Sequence, residues 1–274
     1  YSEAQLNDEY TARMQKFANE IQKLIWACND FKEWDTSFRK AFAHFICTLL
    51  SMMGVPKHIV DFYRKYCERW TMVFRHYFGC TILKGEEKNF SGGPFTIVSN
   101  TIANLALCFA IFIFTDLKFG MFKGDDSGVL ARSCKLTEKG KRIIEITGHG
   151  LKLHTTSVGE FAGWFLTPYG FFPDVVRYAA KFLDKTYIDQ KHFNEALLSL
   201  QERCSAVKSQ TQLNYGVSMC HKFYQETLGG DIPITTRDIE NLYGFLKHSR
   251  SIKFSDLKPV RLNLKHVAEE DRCA

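Results

Sequence analysis

Two adjacent carboxylates, Asp125 and Asp126, follow Gly124 between two short apolar stretches, Leu117 to Phe122 and Gly128 to Ala131, that read as the strands of a hairpin. Carboxylates side by side at a hairpin tip disfavour each other's ionised form, and a divalent cation relieves that repulsion. Mg²⁺ is the natural candidate, with Mn²⁺ as an alternative, because it takes hard oxygen ligands, typically one or two carboxylates together with substrate phosphates. Gly-Asp-Asp is also ordinary turn chemistry, so the triplet alone does not decide the matter. Upstream, Asp30-Phe31-Lys32-Glu33-Trp34-Asp35 directly follows an apolar run, Leu24 to Cys28, long enough for a buried strand. A strand ending in Asp30 would lay that residue beside the hairpin of Asp125. Between the two lies the Gly-rich stretch Ser91-Gly92-Gly93-Pro94, which runs into a helical segment carrying Thr96, Asn100 and Asn104. Their spacing of four puts the three side chains on one helix face, which either meets something polar or serves as capping and core-satisfied amides.

The elements that must position these residues can be read from periodicity. The chain opens with an amphipathic helix in which Leu6, Tyr10, Phe17 and Ile21 share a face, and then enters the strand leading to Asp30. Phe38, Phe42, Phe45, Leu49 and Met53 follow at helical spacing, stopped by Gly54, and Pro56 opens a helix offering Ile59, Phe62, Tyr63 and Tyr66 to a core. Lys135 to Thr147 reads as a helix ended by Gly148 and Gly150, and Leu151-Lys152-Leu153 as a short strand. A hairpin through Pro168 to Gly170 comes next. From Asp174 the pattern turns helical, through Val175 to Leu183, then Phe193, Leu197 and Leu200, then Ile239, Leu242, Tyr243 and Leu246.

The element D-x4-D at Asp30 and Asp35, then S-G-x3-T-x3-N-T-x2-N from Ser91 to Asn104, then G-D-D at Gly124 to Asp126, occur in the order and spacing of polymerase motifs A, B and C. The chain resembles the palm of a viral RNA-dependent RNA polymerase, most like plus-strand viruses of the alphavirus-like supergroup. Gly159-Glu160-Phe161-Ala162-Gly163-Trp164-Phe165-Leu166-Thr167-Pro168-Tyr169-Gly170 is similar to the motif E hairpin, and Lys152 stands where the motif D lysine is expected. The resemblance covers roughly residues 20 to 185. It implies an α+β fold: a right-hand palm, with a small antiparallel sheet, packed helices and part of the fingers, over residues 1–170, followed by a mainly helical thumb over 171–274.

The resemblance also implies chemistry. Nucleotidyl transfer from ribonucleoside triphosphates to an RNA 3′-hydroxyl needs that hydroxyl activated and the charge on phosphorus and pyrophosphate stabilised, which two metals about 3.5–4 Å apart accomplish. Asp30 and Asp125 are the implied primary metal ligands, with Asp126 behind them and Lys152 as general acid to the pyrophosphate, a role for which His149 and His154 compete. Asp35 with Asn100, helped by Thr96, is assigned recognition of the ribose 2′-hydroxyl; Ser91 and Gly92 supply the pliable loop beside template and nucleotide, and Asn104 completes the substrate-binding set. The implied setting is viral RNA replication in host cytoplasm, in membrane-associated complexes with RNA template, nascent RNA, and replicase proteins such as a helicase and a capping enzyme. The basic fingers segment of family members lies before motif A, and few residues precede Asp30 here, so the chain reads as a fragment, one expected to be inactive alone.

Composition agrees in sign. The net charge is +6, from 36 Lys and Arg against 30 Asp and Glu, the polarity of a phosphate-binding surface. Nine cysteines with no Cys-x-x-Cys spacing argue against a disulfide framework and for a reducing compartment. Cys67, His76 and Cys80 suggest a zinc site but lack an evident fourth ligand, which favours buried free thiols. The longest apolar stretch, Ile102 to Phe114, falls short of the roughly twenty residues that span a bilayer. Two other readings stay open: a non-enzymatic RNA-binding module, which would call for a denser Lys/Arg stripe and have no use for paired aspartates, and an inactive genome-integrated polymerase remnant, against which the intact motif residues speak.

Overall fold

A computed structural model describes residues 3–17, 19–32, 40–86, 95–147, 150–228 and 234–248. Helix α1 (Glu3–Gln15) leads through a short 3-10 turn into strand β1 (Ile25–Lys32). Helices α2 (Lys40–Met52) and α3 (Lys57–Glu68) follow, separated at Gly54, whose φ of 80° is a left-handed stop that suits glycine. They bury Ala43, Ile46 and Cys47 against Val60, Tyr63 and Cys67. Phe62, expected in that core, is 59 % exposed: the buried stripe runs through Val60, Tyr63 and Cys67, and Phe62 lies off it, stacked on Tyr66. A long two-stranded ribbon, β2 (Arg69–His76) with β3 (Gly79–Glu86), had no counterpart in the sequence reading. Its Val73, Phe74, Ile82 and Leu83 are all exposed, so it lacks the alternation that marks a half-buried strand.

Helix α4 (Thr96–Ile111) passes behind the hairpin of β5 (Phe119–Lys123) and β6 (Asp126–Ala131), after the short strand β4 (Phe112–Thr115). Residues 135 and 136, expected to begin a helix, instead belong to strand β7 (Ser133–Leu136), which pairs with β4. Helix α5 (Glu138–Thr147) starts only after Thr137, whose hydroxyl accepts from the Gly140 N–H at 2.8 Å in the manner of an N-cap. Strand β8 (Gly150–Thr156) completes a four-stranded antiparallel sheet in the order β5-β6-β1-β8.

Three short strands follow, β9 (Gly159–Phe161), β10 (Trp164–Thr167) and β11 (Gly170–Pro173), as a meander in sequence order. Every residue of β10 and β11 is buried, because the sheet is covered on both faces. Trp164, Leu166 and Phe171 join Tyr10, Met14, Trp26 and Leu130 on the side of the large sheet. Phe165 and Phe172 join the core of the helices that come after: α6 (Val175–Asp184), α7 (Gln190–Cys204), α8 (Gln210–Thr227) and α9 (Thr236–His248). Among the described residues all strands lie before Asp174 and only helices lie beyond it. The architecture is α+β, with small antiparallel sheets and packed helices. No described helix is long and apolar enough to cross a membrane.

Candidate active site

In the β5–β6 hairpin Lys123 pairs with Asp126, so Gly124 and Asp125 form a two-residue turn. Gly124 has φ 61° and Asp125 has no positive φ, the pattern of a type II′ turn, whose first position belongs to glycine. Helix α4 grips this turn from behind. Thr101 Oγ1 donates to the Ile97 carbonyl and accepts from the Gly124 N–H at 2.8 Å. Further along the helix, Asn104 directs Nδ2 at three carbonyls, those of Gly124 (3.2 Å), Asp125 (2.8 Å) and Asp126 (3.1 Å). Three acceptors around one nitrogen fix which way this amide faces. Asn104 is fully buried, Asp125 exposed and Asp126 half-buried.

The large sheet brings other motif positions to the same end. In β1, Asn29 stands opposite Ser127 of β6 and Asp30 opposite Lys152 of β8. The backbone of Asp30 therefore lies one step past the last β1–β6 pair, level with Asp126, between the hairpin strand and the strand of Lys152. The side chains of Asp30, Lys152 and His154 lie outside the described atoms, and Asp35, Ser91, Gly92 and His149 lie outside the described residues. Thr96 is the first residue of α4 and half-buried, and Asn100 is buried. Asn104, expected among the substrate-binding residues, has its amide NH₂ turned to the hairpin carbonyls. Among the described residues no three His, Cys, Asp or Glu side chains gather as a metal-holding group, Cys67, His76 and Cys80 included.

Beside the Asp125 turn opens a cavity of about 300 Å³. Lys123, Asp125 and Asp126 line one side; Ala162 and Gly163, at the β9–β10 turn, line another; Arg177, Tyr178 and Lys181 of α6 close it. Arg177 is held by Glu160 at 3.1 Å. Two carboxylates thus share a cleft with three cations. Thr101 stood in the Asn-Thr of the motif pattern without a role assigned to it, and Lys123, Arg177, Tyr178 and Lys181 were not singled out from sequence; the i, i+4 pair Arg177/Lys181 just after the motif E hairpin was the available signal. Cys28 of β1 donates its thiol to the Glu160 carbonyl at 3.3 Å. Burial above all, with the negative charges of Glu160 and Asp126 adding to it, pushes that thiol up to about 11, so it stays protonated at neutral pH.

Residues 5–234 match the family described as RNA dependent RNA polymerase. The non-structural polyprotein pORF1 of hepatitis E virus genotype 3 (isolate Swine/United States/swUS1) is 30 % identical over 160 residues, 58 % of this chain and 9 % of the polyprotein. That of genotype 1 (isolate Human/India/Hyderabad) is 28 % identical over 202 residues, 69 % of this chain and 12 % of the polyprotein. The chain thus spans about a tenth of these relatives. In fold it is similar to the RNA-dependent RNA polymerase of a human picorbirnavirus, solved as an insertion loop deletion mutant, with a TM-score of 0.58 at 16 % identity, covering 87 % of this chain and 50 % of that one. With the strand of Asp30 paired beside the Gly-Asp-Asp hairpin and the β9–β10 turn lining the same cleft as Asp125 and Asp126, and with the match running through most of its length, the chain belongs to the RNA-dependent RNA polymerase family of plus-strand RNA viruses.

Proposed function

We propose that this chain carries the catalytic centre for template-directed RNA synthesis in viral genome replication, transferring nucleotides from ribonucleoside triphosphates to an RNA 3′-hydroxyl. The observation that carries the reading is the Gly124-Asp125 turn, strapped by Asn104 at the sheet end where the backbone of Asp30 lies level with Asp126 and opposite Lys152. The donor set suits Mg²⁺ or Mn²⁺: Asp125 and Asp126 offer hard carboxylate oxygens while the turn's own carbonyls accept from Asn104. Asp30 and Asp125 would hold the metal with Asp126 beside them; the ion, when bound, supplies Lewis acidity that favours the attacking alkoxide and the leaving pyrophosphate. In this reading Lys152 gives a proton to the pyrophosphate oxygen. Asp35 and Asn100, with Thr96, accept and donate hydrogen bonds at the ribose 2′-hydroxyl, and the Ser91–Gly92 loop lets the backbone approach the nucleotide closely. Lys123, Arg177 and Lys181 balance the phosphate charge in the cleft.

The test is template-directed incorporation by a protein containing the upstream polymerase region, with the Asp125→Ala variant beside it. Loss of synthesis in the variant is expected, and undiminished synthesis would overturn the mechanism. In the same protein, Asn100→Ala should cost ribonucleotide use about 1–3 kcal/mol more than deoxyribonucleotide use. Equal losses for both sugars in single-turnover incorporation would make Asn100 structural.

A further inference from the structure

The β9–β10 turn is unusual in its backbone. Phe161 pairs with Trp164, so Ala162 and Gly163 form a two-residue turn in which both residues have positive φ, 52° and 80°. That is the type I′ pattern, which favours Asn or Gly at its first position, and an alanine in the left-handed region persists only where its surroundings hold it. Here both turn carbonyls are held from the helical side. The Asp174 N–H donates to the Gly163 carbonyl at 3.0 Å, and the Tyr178 hydroxyl lies 3.5 Å from the Ala162 carbonyl. Tyr178 sits directly over the turn: a Cβ added to Gly163 would fall 2.3 Å from the phenolic oxygen.

Tyr178 is itself fixed from a third element. Arg203 of α7 donates from Nη1 to the Tyr178 hydroxyl at 2.7 Å, which leaves the phenolic proton for the Ala162 carbonyl. The guanidinium lies 4.7 Å from the centre of the Tyr178 ring and 5.7 Å from that of Trp164, the residue just after the turn. Arg203 does not line the cleft of Asp125 and Asp126, whereas Tyr178, Ala162 and Gly163 do. A cation on α7 therefore acts on the cleft through the phenol of Tyr178, which does line it.

We infer that Tyr178 and Arg203 are a positioning pair that fixes the Ala162–Gly163 turn opposite the Asp125–Asp126 turn and thereby sets where the RNA 3′ end rests in the cleft. The inference rests on the polymerase reading above and adds to it two residues outside the recognised motifs. Neither residue touches the reacting atoms. Loss of either contact leaves the carboxylates in place and lets the turn drift, so the effect falls on RNA placement.

The experiment compares Tyr178→Phe, Arg203→Lys and the double variant in the intact polymerase-containing protein, with a preformed primer–template. Each single variant should raise the KM for primer–template about threefold to tenfold, the scale of one hydrogen bond, with the KM for nucleoside triphosphate within about twofold. The double variant should be no worse than the singles, because the two residues act as one unit. Amide hydrogen exchange across residues 161–164 should quicken in all three. A purely structural role would instead lower kcat in proportion to the folded fraction at unchanged KM, and that result, or unaltered exchange at the turn, overturns the inference. Should Tyr178→Phe fail to fold, Arg203→Lys, which keeps the charge and loses the planar fork, decides alone. The exchange measurement needs no catalysis, so an inactive wild-type protein would remove the polymerase reading while exchange still reports whether the pair holds the turn.

Discussion

Asn104 shows how one side chain can hold the Gly-Asp-Asp turn from behind. Its Nδ2 serves three consecutive carbonyls of the Asp125 turn from a fully buried position, so its removal strips the donor from all three, the buried Gly124 carbonyl included. Asn104→Ala should lower stability by about 1–3 kcal/mol in urea unfolding and weaken divalent-ion binding in parallel, and Asn104→Asp, which sets a carboxylate against carbonyls, should do worse. Asp174 is a second buried anchor. It caps α6 by accepting from the Arg177 N–H at 3.0 Å, and it accepts from Tyr224 at 2.8 Å. Burial raises its carboxyl above the ordinary 3.8 despite these hydrogen bonds. The native state therefore binds the proton more tightly than the unfolded chain, so this group's contribution is fully present below 3.8 and is lost as pH rises through its folded value. Asp174→Asn, which keeps an acceptor for the cap, should flatten that decline when stability is followed by denaturation from about pH 3.5 upward.

Among the elements, α4 and α5 carry the site's support. Gly140 lies within α5, where glycine to alanine ordinarily stabilises a helix by about 1 kcal/mol. Here an added Cβ would lie 2.3 Å from the carbonyl oxygen of Ile111, at the end of α4, and backbone cannot swing aside as a side-chain tip can. Gly140→Ala is therefore expected to destabilise, reversing the usual sign, and a gain in thermal midpoint would show that α4 and α5 can separate at little cost. The β9–β11 meander is the other supporting element. Because Phe165 and Phe172 face one core and Trp164, Leu166 and Phe171 the other, it transmits the placement of the helices to the cleft.

At the scale of the whole molecule, those two cores are joined through the same three strands, and the carboxylates sit at the end of the larger sheet that packs on them. Ion binding at the Asp125 turn should therefore stabilise the molecule as a unit. Mg²⁺ or Mn²⁺ at about a hundred times its dissociation constant should add about 2.7 kcal/mol by mass action, seen as an upward shift of a single thermal transition. Asp125→Asn should remove the shift, and a shift of equal size in that variant would place the ion elsewhere.

Much of the site was written in residue type and spacing. The strand before Asp30 and the helix through Thr96, Asn100 and Asn104 are local features that periodicity suffices to read, while the ordered Asp30, Ser91-Gly92, Asn100 and Gly124-Asp125-Asp126 pattern and the hairpin through Pro168 were legible through the family resemblance. Whatever depends on contacts between distant segments was not legible. The β2–β3 ribbon hides because both of its faces carry apolar residues, and β7 hides because its partner β4 lies on the far side of the β5–β6 hairpin in sequence. The three carbonyls that Asn104 meets were not legible either, since a face of polar residues does not say what it meets. Arg177, Tyr178 and Arg203 belong to none of the recognised motifs; the packing of α6 beside the Ala162–Gly163 turn brings Arg177 and Tyr178 to the cleft and sets Arg203 of α7 behind Tyr178, and tertiary contact of this kind is not written as a helical period.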